Sequence, residues 1–327
     1  MADTLISETS FTPTAIGLAE AQTDGTGFTR RAHGKGWTYQ DEQGATLQGK
    51  ARERCEKLAI PPAWKDVWIA PSQDAHIQAF GTDEAGRRQY IYHPLWTDAR
   101  ADLKFDQLEA FGQRLPRLRN CVRRILAGSQ DREVLALAGI VSLLDLGGLR
   151  IGSQRYLTTS GAVGATTLSP DHIHIAKDRL ELDFPAKGGT QRHVEIEDED
   201  LIAAVEHCQR TNAEFVFAHG DHPLSAGRVN DFLEDCCGAR FTAKTFRTWK
   251  GSVAATSALK SADRPTIKLL SEAAAEALGN TPTIARNSYI HPNIIDAASE
   301  GIDSLELAGP TRLRADERRC FYLITHR

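Results

Sequence analysis

Residues 277–292 read ALGNTPTIARNSYIHP. A helical run closes at Gly279, a polar turn follows at Asn280-Thr281-Pro282, and a short second helical pattern presents Tyr289 just before His291-Pro292. Proline cannot continue a helix and restricts the residue before it. Tyr289 is therefore expected to stand exposed at the end of a short helix.

Upstream, TIKLLSEAAAEAL (266–278) is helical and stops at its glycine. The preceding helix opens near Thr242 as TAKTFRTWKGSV, with Phe246, Trp249 and Val253 as its apolar stripe. Lys244 and Arg247 are three residues apart and share another face. Two cations there repel each other unless an anion sits between them. EDEDLIAAVEHCQR and SAGRVNDFLEDCC give two more helical patterns, the second with Ser225 as N-cap. Residues 172–196 alternate as HIHIA, RLELDF and QRHVEI, three strands of an antiparallel sheet, and Lys187 lies at the tip of the second connection, PAKGGT. His172 and His174 lack a third ligand at metal-binding spacing and read as sheet residues. REVLALAGIVSLLDL (132–146) is apolar nearly all round, hence central in a core. Arg150 emerges directly after it between Leu149 and Ile151. A guanidinium cannot be left dry and unpaired, so Arg150 meets either an internal carboxylate or an anionic ligand. RLPRLRNCVRR (114–124) holds five arginines and no acid. It is either a solvated helix face or a strip that contacts phosphate.

Residues 29–95 read as a small sheet-rich unit. TRRAHGKGWTYQDEQGA forms a hairpin, ARERCEKL a short helix that stops at Pro61-Pro62, and VWIAPS and AHIQAFGTDEAGRRQYIYHP further strands. Arg87, Arg88, Gln89, Tyr90 and Tyr92 fall together there, with Gln89 pointing away from the two tyrosines. Locally, the tyrosines fit a half-buried sheet face. Gly44 to Lys50 resembles a phosphate-cradling loop, but Ala51 replaces the required hydroxyl and no apolar strand precedes it. Residues 1–28 lack periodicity and are expected as a mobile tail, which leaves 96–327 as a larger, mainly helical domain.

No stretch reaches the ~20 apolar residues of a membrane helix, and the N-terminus lacks the pattern of a secretory signal. The six cysteines include no C-x-x-C spacing and read as reduced thiols of a cytoplasmic protein. The net charge of −4 does not exclude a local basic groove.

Arg150, Lys187, Arg247, Asn280 and Tyr289 form a kit for transesterification at a phosphodiester. The tyrosine hydroxyl attacks, and fixed donors hold the non-bridging oxygens as they gain charge. Arginine matches phosphate geometry, and a lysine protonates the departing oxygen. Spread over 140 positions, the five do not make a motif. The linked blocks around them do. LAIPPAW (58–64), GRRQYIYH (86–93), GGLRIGS (147–153), FPAKGG (184–189), KTFRTW (244–249) and GNTPTIARNSYIHP (279–292) resemble, in this order, the type IB DNA topoisomerases of poxviruses and bacteria.

The resemblance implies an α+β protein whose small N-terminal sheet domain and helical catalytic domain clamp duplex DNA. Tyr289 is implied to form a 3′-phosphotyrosyl bond, Arg150 and Arg247 to hold the non-bridging oxygens, Lys187 to act as general acid and Lys244 as an auxiliary phosphate contact. Gln89, Tyr90 and Tyr92, with Arg87 and Arg88, fall where family members touch DNA. The implied enzyme is a monomer associated with the nucleoid and needs no metal, nucleotide or other cofactor. One departure stands out. Poxviral and eukaryotic members carry histidine where this chain has the neutral Asn280. Two other readings remain open, a tyrosine recombinase and a non-catalytic DNA clamp. Recombinases typically show His-x-x-Arg in place of Lys244-Thr-Phe-Arg247 and lack the two N-terminal blocks.

Overall fold

The computed structural model describes residues 11–34, 36–209, 213–220, 222–301 and 305–326, with Asp102 described through its backbone alone. The chain divides into two compact units, Met1–Leu103 and Lys104–Arg327.

In the first unit, alternation along β1 (Phe28–His33), β2 (Gly36–Gln40), β3 (Lys65–Ile69), β4 (Ile77–Thr82) and β5 (Arg88–Tyr92) produces an antiparallel sheet in the order β2-β1-β3-β4-β5. Tyr39, Ile60, Val67, Ile69 and Ala79 bury one face, together with Cys55 of helix α1 (Gly49–Lys57). Arg30 fixes the IPPAW segment. Its guanidinium stacks 3.9 Å from the Trp37 ring centroid and donates to the carbonyls of Ile60, Pro61 and Trp64 at 2.8–2.9 Å. Residues 11–28 depart from the expected mobile tail. Leu18 is buried, Ala19 N–H donates to Asp74 O at 2.8 Å, and His76 N–H donates to Ala19 O at 2.9 Å. Leu18, this bridge, the Ala21 N–H bond to His76 Nδ1 at 3.1 Å and the Phe11 ring stacked 5.2 Å from Trp96 anchor the segment, and none leaves a periodic trace. Residues 1–10 lie outside the described residues.

Helix α2 (Pro94–Gly128) crosses the division between the units. The second unit is built on α3 (Arg132–Gly147), capped by the Asp131 carboxylate and buried from Leu135 to Leu144. Then follow α4 (Gln154–Ser160) and an antiparallel sheet of β6 (Ile173–Ala176), β7 (Arg179–Pro185) and β8 (Gln191–Ile196). Helix α5 (Glu199–Gln209), the two-residue strands β9 (Ala218–His219) and β10 (His222–Pro223), and helices α6 (Ala226–Cys237), α7 (Ala243–Ser261), α8 (Ile267–Leu278), α9 (Pro282–Tyr289), α10 (Pro292–Glu300) and α11 (Ala315–Thr325) complete it. The architecture is α+β, as expected; the β9–β10 pair is too short to show in the sequence.

The arginine strip on α2 divides by depth. Arg114 donates to the Cys237 carbonyl at 3.1 Å, at the end of α6. Arg119 pairs with Asp145 at 2.7 Å and Glu317 at 2.6 Å. Arg123 and Arg124 remain exposed. The expectation of six reduced thiols also needs correction. Packing of α2 against α6 brings Cys121 and Cys236 to a Cα–Cα distance of 5.9 Å, where they form a disulfide across 115 positions. Tertiary packing sets that proximity, and no spacing rule encodes it. Cys55, Cys208, Cys237 and Cys320 are buried thiols.

Candidate active site

Two helix C-termini converge beneath Tyr289. Helix α3 ends at Gly148 and α8 at Gly279, both in the left-handed conformation. Their last carbonyls lack intrahelical donors, and cations of other elements supply them. Arg247 of α7 donates to Gly148 O at 2.5 Å and to Leu278 O at 3.1 Å. Lys250, one turn further along, donates to Leu146 O. Arg192 of β8 donates to Glu276 O at 3.1 Å and Ala277 O at 2.8 Å. Helix-end carbonyls orient these cations without cancelling their charge. Among the described residues, no carboxylate forms an ion pair with Arg150, Arg247, Lys187 or Lys244. For Arg150 this removes the carboxylate alternative that the sequence left open.

Arg150 is positioned from its backbone. Its carbonyl accepts from Ala165 N–H and the next one, Ile151 O, from Thr166 N–H, both at 2.8 Å. A side chain at Gly164 would stand 2.6 Å from Arg150 O, so only glycine permits this approach. The Arg150 guanidinium donates to Asn280 Oδ1 at 2.5 Å.

The turn from α8 to α9 carries Asn280. Its N–H closes onto Ala275 O at 3.0 Å, and the Thr281 hydroxyl then caps α9 through Ile284 N–H. Ala285 and Ile290, both buried, seat α9 in a second apolar cluster with α8, α10 and α11. Tyr289 is left half-buried, its ring centroid 5.0 Å from the Arg247 guanidinium. Gly251 lets α7 approach this turn, since a Cβ there would lie 2.7 Å from Tyr289 O. The Ser252 hydroxyl donates to Tyr289 O at 3.3 Å and accepts from His291 N–H at 3.0 Å. Arg247 is 4% exposed. Burial, and next the charge of Arg150, pull its pKa down to about 10, so it stays cationic at neutral pH.

Of the buried donors without an acceptor among the described residues, two lie in this site, Asn280 Nδ2 and Arg247 Nε; the others belong to Trp68, Trp249 and Arg318. An unsatisfied buried donor costs ~1–3 kcal/mol, which an incoming oxygen acceptor removes. The arrangement is that of an anion-receiving site beside a phenol.

The structure thus brings together Arg150, Arg247, Asn280 and Tyr289. Lys187 stands exposed on the β7–β8 tip, with no hydrogen bond or ion pair among the described residues. Lys244 is exposed on the first turn of α7, while Arg247 is buried, so the shared face expected for them holds along the helix but not in depth. Arg192 and Lys250 were not anticipated. Arg192 had a signal, because it shares strand parity with the buried Val194 and Ile196.

In the first unit, Trp68, Phe80 and Tyr90 are paired across β3, β4 and β5, with ring centroids 5.1 and 6.0 Å apart. Tyr92 stacks on Tyr90 at 5.8 Å, and Arg88 lies 3.7 Å over Phe80. Tyr90 and Tyr92 are 40% and 37% exposed, which leaves an aromatic, cationic strip on the surface. The half-buried sheet face read locally is therefore incomplete. Gln89 points the other way, donating to Asp83 at 2.8 Å, and Arg87 pairs with the same carboxylate at 2.9 Å.

Comparison with known proteins defines the class first. Residues 96–304 match the family described as eukaryotic DNA topoisomerase I, catalytic core, and residues 36–83 match the bacterial DNA topoisomerase IB N-terminal domain. The chain belongs to the type IB DNA topoisomerase family. It is 26% identical over 272 residues to DNA topoisomerase 1B of Acanthamoeba polyphaga mimivirus, covering 77% of this chain and 81% of that one. It is 23% identical over 235 residues to DNA topoisomerase 1B of Vaccinia virus (strain Copenhagen), covering 67% and 72%. A solved structure of the XerH site-specific recombinase on its difH substrate aligns with a TM-score of 0.40 and 12% identity, covering 57% of this chain and 50% of that one; a likeness this loose carries no weight here.

Proposed function

We propose that this topoisomerase relaxes supercoiled duplex DNA through Tyr289, as a monomer and without metal or nucleotide. The carrying observation is the pair of buried, acceptorless donors, Asn280 Nδ2 and Arg247 Nε, set among carbonyl-held cations next to a half-buried tyrosine. The Tyr289 oxygen attacks phosphorus and loses its proton to solvent. The new P–O bond joins the tyrosine to the 3′ end, and the P–O5′ bond breaks. Arg150, Arg247 and Asn280 hold the non-bridging oxygens as charge develops. Lys187 delivers a proton to the departing 5′ oxygen, and Lys244 contacts a neighbouring phosphate. One ester replaces another, so no hydrolysis occurs and no external energy is consumed. The free 5′ end swivels about the intact strand and then attacks back, reversing each step. Arg88, Tyr90 and Tyr92 supply a DNA-contacting strip on the N-terminal unit, with Arg87 and Gln89 beside it.

The test is relaxation of negatively supercoiled plasmid in EDTA without ATP, wild type beside Tyr289→Phe. Wild type is expected to relax the plasmid, and to leave a detergent-trapped adduct carrying a free 5′-hydroxyl. Tyr289→Phe is expected to do neither. Relaxation abolished by chelation refutes the metal-free route, and relaxation by Tyr289→Phe refutes the nucleophile. Plasmids without paired sites are used, so that relaxation also separates this activity from recombination.

A further inference from the structure

Lys104 heads a stripe on α2 that ought to be apolar throughout. Leu108, Phe111, Leu115, Leu118 and Val122 follow it at spacings of three and four, and every one is buried. The lysine at the head is partly buried, and its ammonium turns onto backbone. Nζ donates to the Ser288 carbonyl at 2.7 Å and lies 4.0 Å from the Phe105 ring centroid. Phe105 in turn meets the His291 ring edge-on at 5.3 Å. Ser288 and His291 flank Tyr289-Ile290, so α2 grips the chain on both sides of the tyrosine.

The Ser288 carbonyl belongs to the last turn of α9, where backbone acceptors lack intrahelical donors and a cation is favoured. Helix α7 holds the next carbonyl, that of Tyr289, through Ser252. Two adjacent carbonyls are thus fixed by two different helices. The ammonium is held at a cost: burial, and next the charge of Lys244 on α7, lower its pKa to about 8. An apolar side chain would fill the stripe without that cost.

We propose that Lys104 is a positioning residue of the transesterification, fixing the end of α9 so that the Tyr289 hydroxyl stands in line with the leaving oxygen. This rests on the assignment of Tyr289 as nucleophile. A small displacement of a reacting group costs up to about 10²-fold in rate.

The test uses single-turnover cleavage of a suicide duplex by the full chain, comparing wild type, Lys104→Met, Lys104→Arg and Tyr289→Phe. Non-covalent DNA affinity is measured in the Tyr289→Phe background with and without Lys104→Met. Lys104→Met keeps the aliphatic stem and removes the donor, and it is expected to slow cleavage by about tenfold or more. DNA affinity should change by less than about threefold. Lys104→Arg, which restores a cationic donor, is expected to recover most of the rate. Three results overturn the proposal: cleavage by Lys104→Met within about twofold of wild type, an affinity loss that matches the rate loss, or no recovery in Lys104→Arg while its melting temperature equals that of wild type. If Lys104→Met does not fold, the Lys104→Leu variant, which also removes the donor, is read by the same criteria. Covalent adduct in Tyr289→Phe would instead mark failure of the nucleophile assignment.

Discussion

Asn280 uses its two ends differently. Oδ1 accepts a hydrogen bond from the Arg150 guanidinium at 2.5 Å, while Nδ2 is buried without an acceptor. The first bond fixes the amide, and the second group is the one that can meet a phosphate oxygen. Asn280→Ala is therefore expected to slow single-turnover cleavage by about 10²-fold, the scale of one transition-state donor. A loss below about threefold would remove the residue from the mechanism. Asn280→Asp should be slower than Asn280→Ala in the same assay. It keeps the contact with Arg150 but loses the donor, and its carboxylate neutralises a cation the phosphate needs. The residues of this site divide by how much sequence could reveal. Tyr289, Asn280 and Arg150 sit at glycine- or proline-marked breaks, where local signals are strong. Arg192, Lys250 and Lys104 bind carbonyls 84, 104 and 184 positions away, respectively. A carbonyl is present at every residue, so such a partnership leaves no residue-type signature, and only misplaced polarity on a buried stripe or strand parity hints at it.

At the scale of elements, the contact between α7 and α9 is backbone against backbone. Gly251→Val would place side-chain atoms where Tyr289 O and Cβ now lie, 2.7 and 3.0 Å from the added Cβ. Overpacking of this kind costs about 1–3 kcal/mol. We expect a lower melting temperature, DNA affinity close to wild type, and adduct formation slowed by about tenfold or more, because Arg247 and Tyr289 move apart. Unchanged cleavage in a destabilised Gly251→Val protein would show that the spacing of these helices is not catalytic. The pattern KTFRTWKGSV exposed the helix and its apolar stripe, but it could not distinguish a glycine of close approach from a glycine of low helix propensity.

At the scale of the molecule, Arg119 ties α2 to α3 through Asp145 and to α11 through Glu317, whose side chain is 6% exposed. Burial alone would raise the Glu317 pKa, but hydrogen bonds and charge from Arg119 outweigh it and hold the carboxyl below its usual range. A carboxyl depressed in the folded state contributes stability that is complete above its unfolded pKa of about 4.3 and is lost as pH falls through the folded value. The urea midpoint should therefore fall with acidification below about pH 4.5, and Glu317→Gln should flatten that fall. A variant retaining the wild-type slope would place the acid sensitivity elsewhere. Periodicity made the five-stranded and three-stranded sheets and the buried α3 readable. The anchoring of residues 11–28, the Cys121–Cys236 bridge and the role of α11 were not, since each depends on partners far away along the chain.

Fixing the carbonyls around Tyr289 has a mechanical consequence. With Tyr289 as the proposed nucleophile, the ester anchors the 3′ end while the free 5′ end turns, so any pull on the anchored end enters the protein at one side chain. The chain there is pinned by Lys104 at Ser288, by Ser252 at Tyr289 and again by Ser252 at His291. Load therefore passes sideways into α7, 19 residues long and packed along the core, and into α2, instead of unwinding the eight-residue α9. As the proposed nucleophile, a Tyr289 held this way stays in register while the other end turns, which is the condition for resealing.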